Sequence, residues 1–420
     1  MIESIELRNF KSFDRAQVKL SPLTVLVGAN AAGKSNFIDA FRFIQECVRE
    51  DVSVAIRRRL GSRGVRSKRR YDPFSAFHLV MRPSIQASGL FVEFIRSRDP
   101  NYPLDLMAAE LFDYTFRFGY ADGDAEVVHE EFDASLRKVG SMNEHGETGF
   151  VEKEDSDLIH STFARTRTRV SSQPQVIENF ELAAERADTL FLASSMFSTA
   201  GSKLAELIKG WSFFDIDPDS ARLPRVAEHI AKLAEDGSNL SLILDQLDDD
   251  QDKDAKATKQ RIEALMQSMV PGFEAWKTER TYDGRTAFRI REVGTRSAFP
   301  PELISDGTVA LLALLAALVS SSTSDTIFIE EPERGLHPQL LENLADLMRQ
   351  VSRTTQVIAT THSPDFVRHL DPSEVYMIDK VDRASRVLRA SSVAQVHHFL
   401  ENFSLDQLWM QGYLEGGLPI

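Results

Sequence analysis

Eight consecutive residues, Gly28-Ala29-Asn30-Ala31-Ala32-Gly33-Lys34-Ser35, fit the pattern G-x-x-x-x-G-K-[ST]. Glycines at that spacing let the backbone wrap so that successive N–H groups point at phosphate oxygens, and the positive end of a following helix points there too. Lys34 would reach the β- and γ-phosphates of a nucleoside triphosphate, and the Ser35 hydroxyl would bind Mg2+. A second run, Thr326-Ile327-Phe328-Ile329-Glu330-Glu331, ends four apolar or β-branched residues on two carboxylates. Such a strand is at home in a parallel sheet, whose ligands gather at the C-terminal strand ends. There Glu330 would hold the Mg2+ shell, and Glu331 would orient or deprotonate an attacking water. Thr361-His362-Ser363-Pro364 follows another apolar strand, so that His362 would hydrogen-bond a γ-phosphate and sense its presence. Leu303-Ile304-Ser305-Asp306-Gly307-Thr308 precedes a long apolar helix, and Ser305 with Gly307 makes either a second anion-binding end or a simple N-cap.

The elements that must position these residues are readable from periodicity. Ile2, Ile5, Leu7 and Phe10 alternate as a strand, and Leu23–Val27 forms a continuous apolar strand directly before the phosphate loop. An amphipathic helix follows, carrying Phe37, Ile38, Phe41, Phe43 and Ile44. From about 75 to 170, short alternating runs broken by Asp-Gly turns predict an antiparallel β-lobe. Helix-period segments follow at Leu182–Leu192, Val226–Leu233 and Ile262–Met269, then strand-like runs at Phe273–Thr278 and Ala287–Val293. The chain then alternates again: helix Val309–Val319, strand Thr326–Ile329, helix Gln339–Val351, strand Gln356–Thr360 and strand Val375–Ile378. One parallel-sheet domain assembled from two distant halves accounts for this order. The expected division is 1–74 and 295–390 for the two halves, 75–174 for a β-rich lobe, 175–294 for a mainly helical insertion and 391–420 for a helical tail.

The order of these motifs resembles the ABC-type P-loop ATPase head shared by SMC proteins, RecF and the OLD-like ATPases. In that group the opening strand often ends in a pattern like Asn9-Phe10-Lys11-Ser12-Phe13, and the phosphate loop carries asparagine at the position of Asn30. The resemblance implies an α/β fold, an ABC/SMC-like head with a β-lobe and a helical insertion, and no long coiled coil. Its ligands would be ATP and Mg2+, cradled by Gly28, Ala29, Asn30, Ala31, Ala32, Gly33, Lys34, Ser35 and Asn36. By the same resemblance Ser305, Asp306 and Gly307 form the signature loop that completes a second subunit's nucleotide site. Glu330 and Glu331 are the Walker B pair, with Ser35 and Glu330 on the metal. Pro332–His337 is the D-loop, and Lys34, Glu331 and His362 are the catalytic set. Ser-Asp-Gly-Thr replaces a transporter-like Ser-Gly-Gly-Gln, and Walker B begins with Glu330 rather than aspartate. Both departures point to small stand-alone AAA ATPases, as in anti-phage defence systems. His337 replaces the usual D-loop aspartate, and Gln86 is the candidate for the Q-loop.

Composition bounds the rest. Of 420 residues, 42% are apolar and 27% charged, and the net charge is −14. That acidity argues against a chain coated in nucleic acid but leaves room for a local basic groove. The segment 57–70 is strongly basic, and Arg66, Lys68 and Arg69 are the candidates for a nucleic-acid backbone. A single cysteine, Cys47, excludes an internal disulfide and cysteine-based metal cages. No apolar run approaches the roughly 20 residues of a membrane span, and the amino terminus lacks a signal peptide's order, so a cytoplasmic protein without a membrane partner is expected. His397, His398 and Glu401 read as an exposed helix face rather than a metal site, and the acidic run 248–252 as a solvated loop. Asp379 and Asp382 are followed by too little chain for a Toprim nuclease. Phe403, Leu405, Leu408 and Trp409 have the spacing of a helix that docks on the head or a partner. The expected activity is Mg-dependent ATP hydrolysis by a head dimer. It would serve DNA repair or anti-phage defence by sensing DNA or RNA and controlling a separate effector such as a nuclease. The alternative is a nucleotide-gated scaffold with little turnover and no nucleic-acid contact.

Overall fold

The computed structural model describes residues 1–67, 74–82, 90–93, 104–121, 124–142, 148–150, 158–166, 175–176, 190, 192, 199–226, 232–249, 251–320, 326–393 and 396–414. Lys68, Arg69, Gln86 and nearly all of the expected helix Leu182–Leu192 lie outside them. The chain divides into two units that interleave along the sequence: 1–21, 31–211 and 378–388 in one, 22–30, 212–377 and 389–420 in the other.

The first unit is built on a nine-stranded sheet. Its order runs from Gln175–Val176 through Leu158–Thr166, Asp124–Met142, Leu104–Ala121, Phe74–Met81 and Ile2–Phe10 to Phe13–Lys19, with each of these pairs antiparallel. The expected β-lobe is therefore present, and the opening hairpin belongs to it. Period-two alternation sets the buried face: Ser75, Phe77, Leu79 and Met81 on one strand stand beside Phe112, Tyr114, Phe116 and Phe118 on the next. Against this face packs the helix Lys34–Arg49, whose Phe43 ring lies 5.5 Å from Phe77 and 5.4 Å from Phe118. Gln45, buried on the same helix, donates to the carbonyls of Ile208 and Trp211, so a polar side chain in the core is satisfied by backbone rather than water.

The second unit holds a parallel sheet in the order Ser212–Phe214, Thr326–Glu330, Gln356–Thr361, Leu23–Val27, Val375–Val381. Val375–Met377 of the last strand belong to this unit, and residues 378–388 to the first. Leu23–Val27 and Gln356–Thr361 are buried at every position, which is why they read as continuous runs instead of alternating ones. One core joins Val25, Ile327, Ile329 and Val357 to Leu311, Leu312 and Leu315 of the helix Asp306–Ser320 and to Leu344 and Met348 of the helix Leu341–Val351. A helix apolar nearly all round must be buried nearly all round, and Val309–Leu318 is. The same core takes Ile262 and Met266 from the helix Lys253–Met269, and Trp276 and Phe288 from the hairpin Phe273–Arg280 with Arg285–Glu292. No described helix is long and apolar enough to cross a membrane.

Three local readings need correcting. Val226 lies in a two-residue strand, Arg225–Val226, against Arg285 and Thr286, and Lys232–Ala234 is not helical; residues 227–231 are outside the described set. Val226 itself is exposed, so at that end the helical spacing marks no buried face. Ser212–Phe214 is a strand of the parallel sheet, too short for any periodicity to reveal. Gln339 belongs to a 3-10 turn, Pro338–Leu340, because proline starts it and the His337 side chain caps it before the α-helix begins at Leu341. The tail helix Leu405–Met410 closes with a capping box at Ser404 and Gln407 and buries Leu405, Leu408 and Trp409 in the core of the second unit, while Phe403 stays partly exposed.

Candidate nucleotide site

In the second unit, strand register alone brings three of the motifs to one edge. Val27 is level with Thr361, and Thr360 with Glu330, all on parallel strands. Gly28–Asn30, Glu330-Glu331 and His362 therefore leave the sheet at the same C-terminal edge, where doubly wound sheets hold their ligands. Glu330 ends its strand half-buried. Glu331 breaks from it at φ +48°, its N–H donating to the Thr360 carbonyl at 3.0 Å.

The Glu331 carboxylate is engaged on both oxygens. His362 lies with Nδ1 2.8 Å from Oε1, which places the ring proton on Nδ1. Arg334 donates to Oε2 from Nε at 3.1 Å and from Nη2 at 3.0 Å, and its Nη1 donates to Oδ1 of Asp215 at 3.0 Å. Burial pulls the Glu331 carboxyl up, but Arg334 and His362 outweigh it and hold the group below the usual carboxylate range. Behind it Glu333 is buried, with Oε1 accepting from the Thr361 hydroxyl and Oε2 lacking a partner. Burial pushes that carboxyl up, which favours the protonated form. Thr361 Oγ1 also accepts from the Ser363 N–H, and the Ser363 hydroxyl caps the short helix Pro364–Val367, so this serine is a turn residue.

The signature-like loop belongs to the same unit. Ser305 Oγ accepts from Thr308 N–H at 3.2 Å, the N-cap geometry, and Asp306 at the helix start pairs with Arg222. Gly307 is glycine for a visible reason: a Cβ there would meet the carbonyl oxygen of Gly335 at 2.4 Å. The loop that carries Glu331 and Arg334 thus touches the start of the signature helix through backbone. His337 caps the 3-10 turn, its Nδ1 accepting from the Gln339 N–H.

In the first unit the remainder of the phosphate loop is tightly held. Gly33 lies at φ +123°, and a Cβ would meet Ser385 Oγ at 2.3 Å and Ser12 Oγ at 2.9 Å. Ser385 Oγ donates to the Ala32 carbonyl, and Asn36 Nδ2 donates to Ser12 Oγ at 2.9 Å. Ala31 is in the left-handed region, Lys34 is buried and Ser35 is exposed. The exposed Ser35 hydroxyl in this unit and the half-buried Glu330 carboxylate in the other are each a hard oxygen donor of the kind Mg2+ takes. Beside Asn36 opens a cleft of about 810 Å3 lined by Lys11, Ser12, Arg63, Arg66, Lys380 and Arg383, with no carboxylate in its lining among the described residues. Lys11 and Arg383 both occupy positive-φ turns.

The basic segment therefore divides. Arg58 pairs with Glu50 at 2.6 Å, and Arg59 is buried between Asp39 and Glu46, so these two are structural. Arg66 faces the cleft; Lys68 and Arg69 lie outside the described residues. His398 stands 3.5 Å from Glu401 on an exposed turn, with no third ligand among the described residues. Sequence reasoning missed Arg334, Asp215, Glu333 and Ser385. Only Arg334 and Glu333 had a signal, their position inside the segment between Glu331 and His337.

A family profile described as "AAA domain, putative AbiEii toxin, Type IV TA system" matches residues 23–108 and 112–368. Among solved structures, the chain is 15% identical to an Smc head bound to the C-winged helix domain of ScpA, with a TM-score of 0.53, covering 92% of this chain and 97% of that one. An SMC head domain from Thermotoga maritima is 14% identical with a TM-score of 0.42, covering 92% and 98%. An Smc head from Pyrococcus furiosus, bound to the C-terminal domain of ScpA, is 12% identical with a TM-score of 0.48, covering 96% and 99%. No match is found among curated proteins. The expected P-loop, SMC-like α/β head is the fold of this chain.

Proposed function

Because the chain belongs to that AAA-domain family, an ATPase-type nucleotide-binding fold, we propose that it is a cytoplasmic, Mg2+-dependent ATPase that works as a head dimer. The observation that carries this is the convergence of Gly28, Glu330, Glu331 and His362 on one edge of the parallel sheet. Lys34 and the loop N–H groups would bind the phosphates, and the cations beside Asn36 would add positive charge at the start of that helix. Ser35 and Glu330 would hold Mg2+, which supplies charge neutralisation of the phosphate oxygens. Glu331 takes the proton of the attacking water, and His362 orients Glu331 through Nδ1–H. Little covalent chemistry is asked of the protein; positioning and charge do the catalysis.

Glu331→Gln keeps shape and hydrogen bonding but removes the base. Nucleotide should stay bound while turnover falls at least ~100-fold, and Lys34→Ala should lose binding itself. Hydrolysis by Glu331→Gln at the wild-type rate would exclude Glu331 as the base. Ser305→Arg tests the dimer. One protomer should still bind ATP while hydrolysis disappears, and mixing with Lys34→Ala protein should restore one working site per heterodimer.

The wider role we propose is sensing of nucleic acid and control of a separate effector, such as a nuclease, in DNA repair or anti-phage defence. A family description that names a toxin system, and an Smc head seen with a domain of a second protein, support a head that acts through a partner. One observation favours the second reading, a nucleotide-gated scaffold with little turnover: Arg334 and His362 already occupy both oxygens of Glu331. ATPase assays with and without DNA and RNA separate the two.

A further inference from the structure

A general base needs a lone pair free for water. At Glu331 three N–H donors from Arg334 and His362 take three of the roughly four lone-pair directions, including both of those on Oε2. His362 is accounted for, because a base is oriented by one such partner. Arg334 is not. It places two donors on Oε2, and its third nitrogen is already satisfied by Asp215, on the loop after the strand Ser212–Phe214. Arg334 thus has a second carboxylate to rest on if it leaves the first. The next residue, Gly335, has φ +75° and its carbonyl abuts Gly307 at the start of the signature helix, where Ser305 and Asp306 are exposed. A ligand or a second subunit that engages Ser305–Gly307 therefore acts, through one backbone contact, on the residue joined to Arg334.

We infer that Arg334 is a positioning residue that holds Glu331 out of catalysis in the lone protomer and releases it to Asp215 when the signature loop is engaged. This rests on reading Glu331 as the base. The groups facing Glu331 are Arg334, His362, Glu333 and its neighbour Glu330, with Asp215 facing it only through Arg334. The Arg334 side chain is 48% exposed, so the lock is a bias and not a block, worth a change of about fivefold in the unlocked population.

The test is steady-state ATP hydrolysis by Arg334→Ala, Arg334→Lys and the parent protein, with Glu331→Gln as control and thermal melting to verify folding. Arg334→Ala should raise kcat about fivefold with KM for ATP unchanged. Arg334→Lys, with one donor point in place of a fork, should fall between. A purely structural arginine would lower the melting temperature without raising kcat. An unchanged or lower kcat overturns the lock, while leaving the base assignment intact if Glu331→Gln is inactive. Wild-type turnover by Glu331→Gln overturns both.

Discussion

At Gly33, two serine hydroxyls from distant parts of the chain press on a backbone at φ +123°, and the lysine that follows is buried; at Glu331, a carboxylate is held by side chains that are half exposed. The first region is held by two serines packed where a Gly33 side chain would stand and by the Ser385 hydroxyl's bond to the Ala32 carbonyl. The second is fixed by charges that can exchange partners. A phosphate-binding loop gains from being rigid before its ligand arrives, because ordering it afterwards would subtract from affinity. In the proposed role, a carboxylate that fires only once a second subunit engages would gain from having two arrangements close in free energy.

That contrast breaks most severely at the brace beneath the rigid region. Arg59, 8% exposed in its side chain, pairs with Asp39 and Glu46 of the phosphate-loop helix and stands 5.0 Å from the Phe43 ring. Arg59→Ala removes the guanidinium shared by two part-buried carboxylates, leaving Asp39 with Lys11 and Glu46 with the more distant Arg58, and should cost about 3 kcal/mol by chemical denaturation. A cost under about 1 kcal/mol, the scale of an exposed pair, would mean the first unit does not depend on this pair. The sign with pH follows from Asp39. Burial pulls its carboxyl up, yet Arg59 and Lys11 hold it lower than usual, so its contribution is complete above the ordinary aspartate value near ~3.9. It disappears as pH falls through the lowered folded value. Acid unfolding should begin at higher pH in Lys11→Ala than in the parent.

Two glycines sharpen the comparison at smaller cost. Gly33→Ala forces an L side chain to positive φ, at about 1–2 kcal/mol, and into contact with Ser385 and Ser12. It should weaken nucleotide binding and lower stability together. Gly307→Ala has no unfavourable φ to adopt but meets a carbonyl at 2.4 Å, so the Glu331–Leu336 loop must shift. Hydrolysis should suffer there while nucleotide affinity stays within about twofold, by analogy with removing an interaction made only in the transition state. Equal effects of the two substitutions on affinity would erase the distinction between a rigid binding region and an adjustable catalytic one.

How far the sequence spoke differs between the same two regions. The parallel strands announced themselves because both of their faces are buried, and the phosphate loop because its chemistry fixes residue types at fixed offsets. Glu331 and His362 were legible as strand-end residues, and register explains why some thirty residues of sequence separation still bring them to 2.8 Å. Ser385 was not legible: it acts through one hydroxyl on the Ala32 carbonyl from 353 residues away, and a lone serine after a strand has no pattern. Nor was Asp215, since the three-residue strand before it shows no period. At Val226 the spacing suggested a helix, but that residue sits exposed in a two-residue strand, placed by its pairing with Arg285 rather than by an apolar face. Arg58 and Arg59 looked like part of a nucleic-acid stripe because charge in sequence does not say which carboxylate folds against it.

The smallest effect concerns what the cations beside Asn36 are for. Arg66 shares a cleft with Arg63, Lys380 and Arg383, and the cleft borders the phosphate-loop helix, so a nucleotide and a nucleic-acid backbone both suit its charge. The two ligands leave different signatures. If Arg66, Lys68 and Arg69 touch duplex phosphates, changing them to glutamate should weaken DNA binding for every sequence alike and reduce the salt slope by about 0.9 for each phosphate no longer neutralised. ATP affinity should then change little. If the cleft serves the nucleotide, Arg63→Glu with Lys380→Glu should raise KM for ATP severalfold and leave the DNA salt slope where it was. A parent protein that binds neither DNA nor RNA at low salt would remove the nucleic-acid role from the segment and favour the scaffold reading. The rigid region would then be a site for one ligand, and its surplus of positive charge would belong to the nucleotide alone.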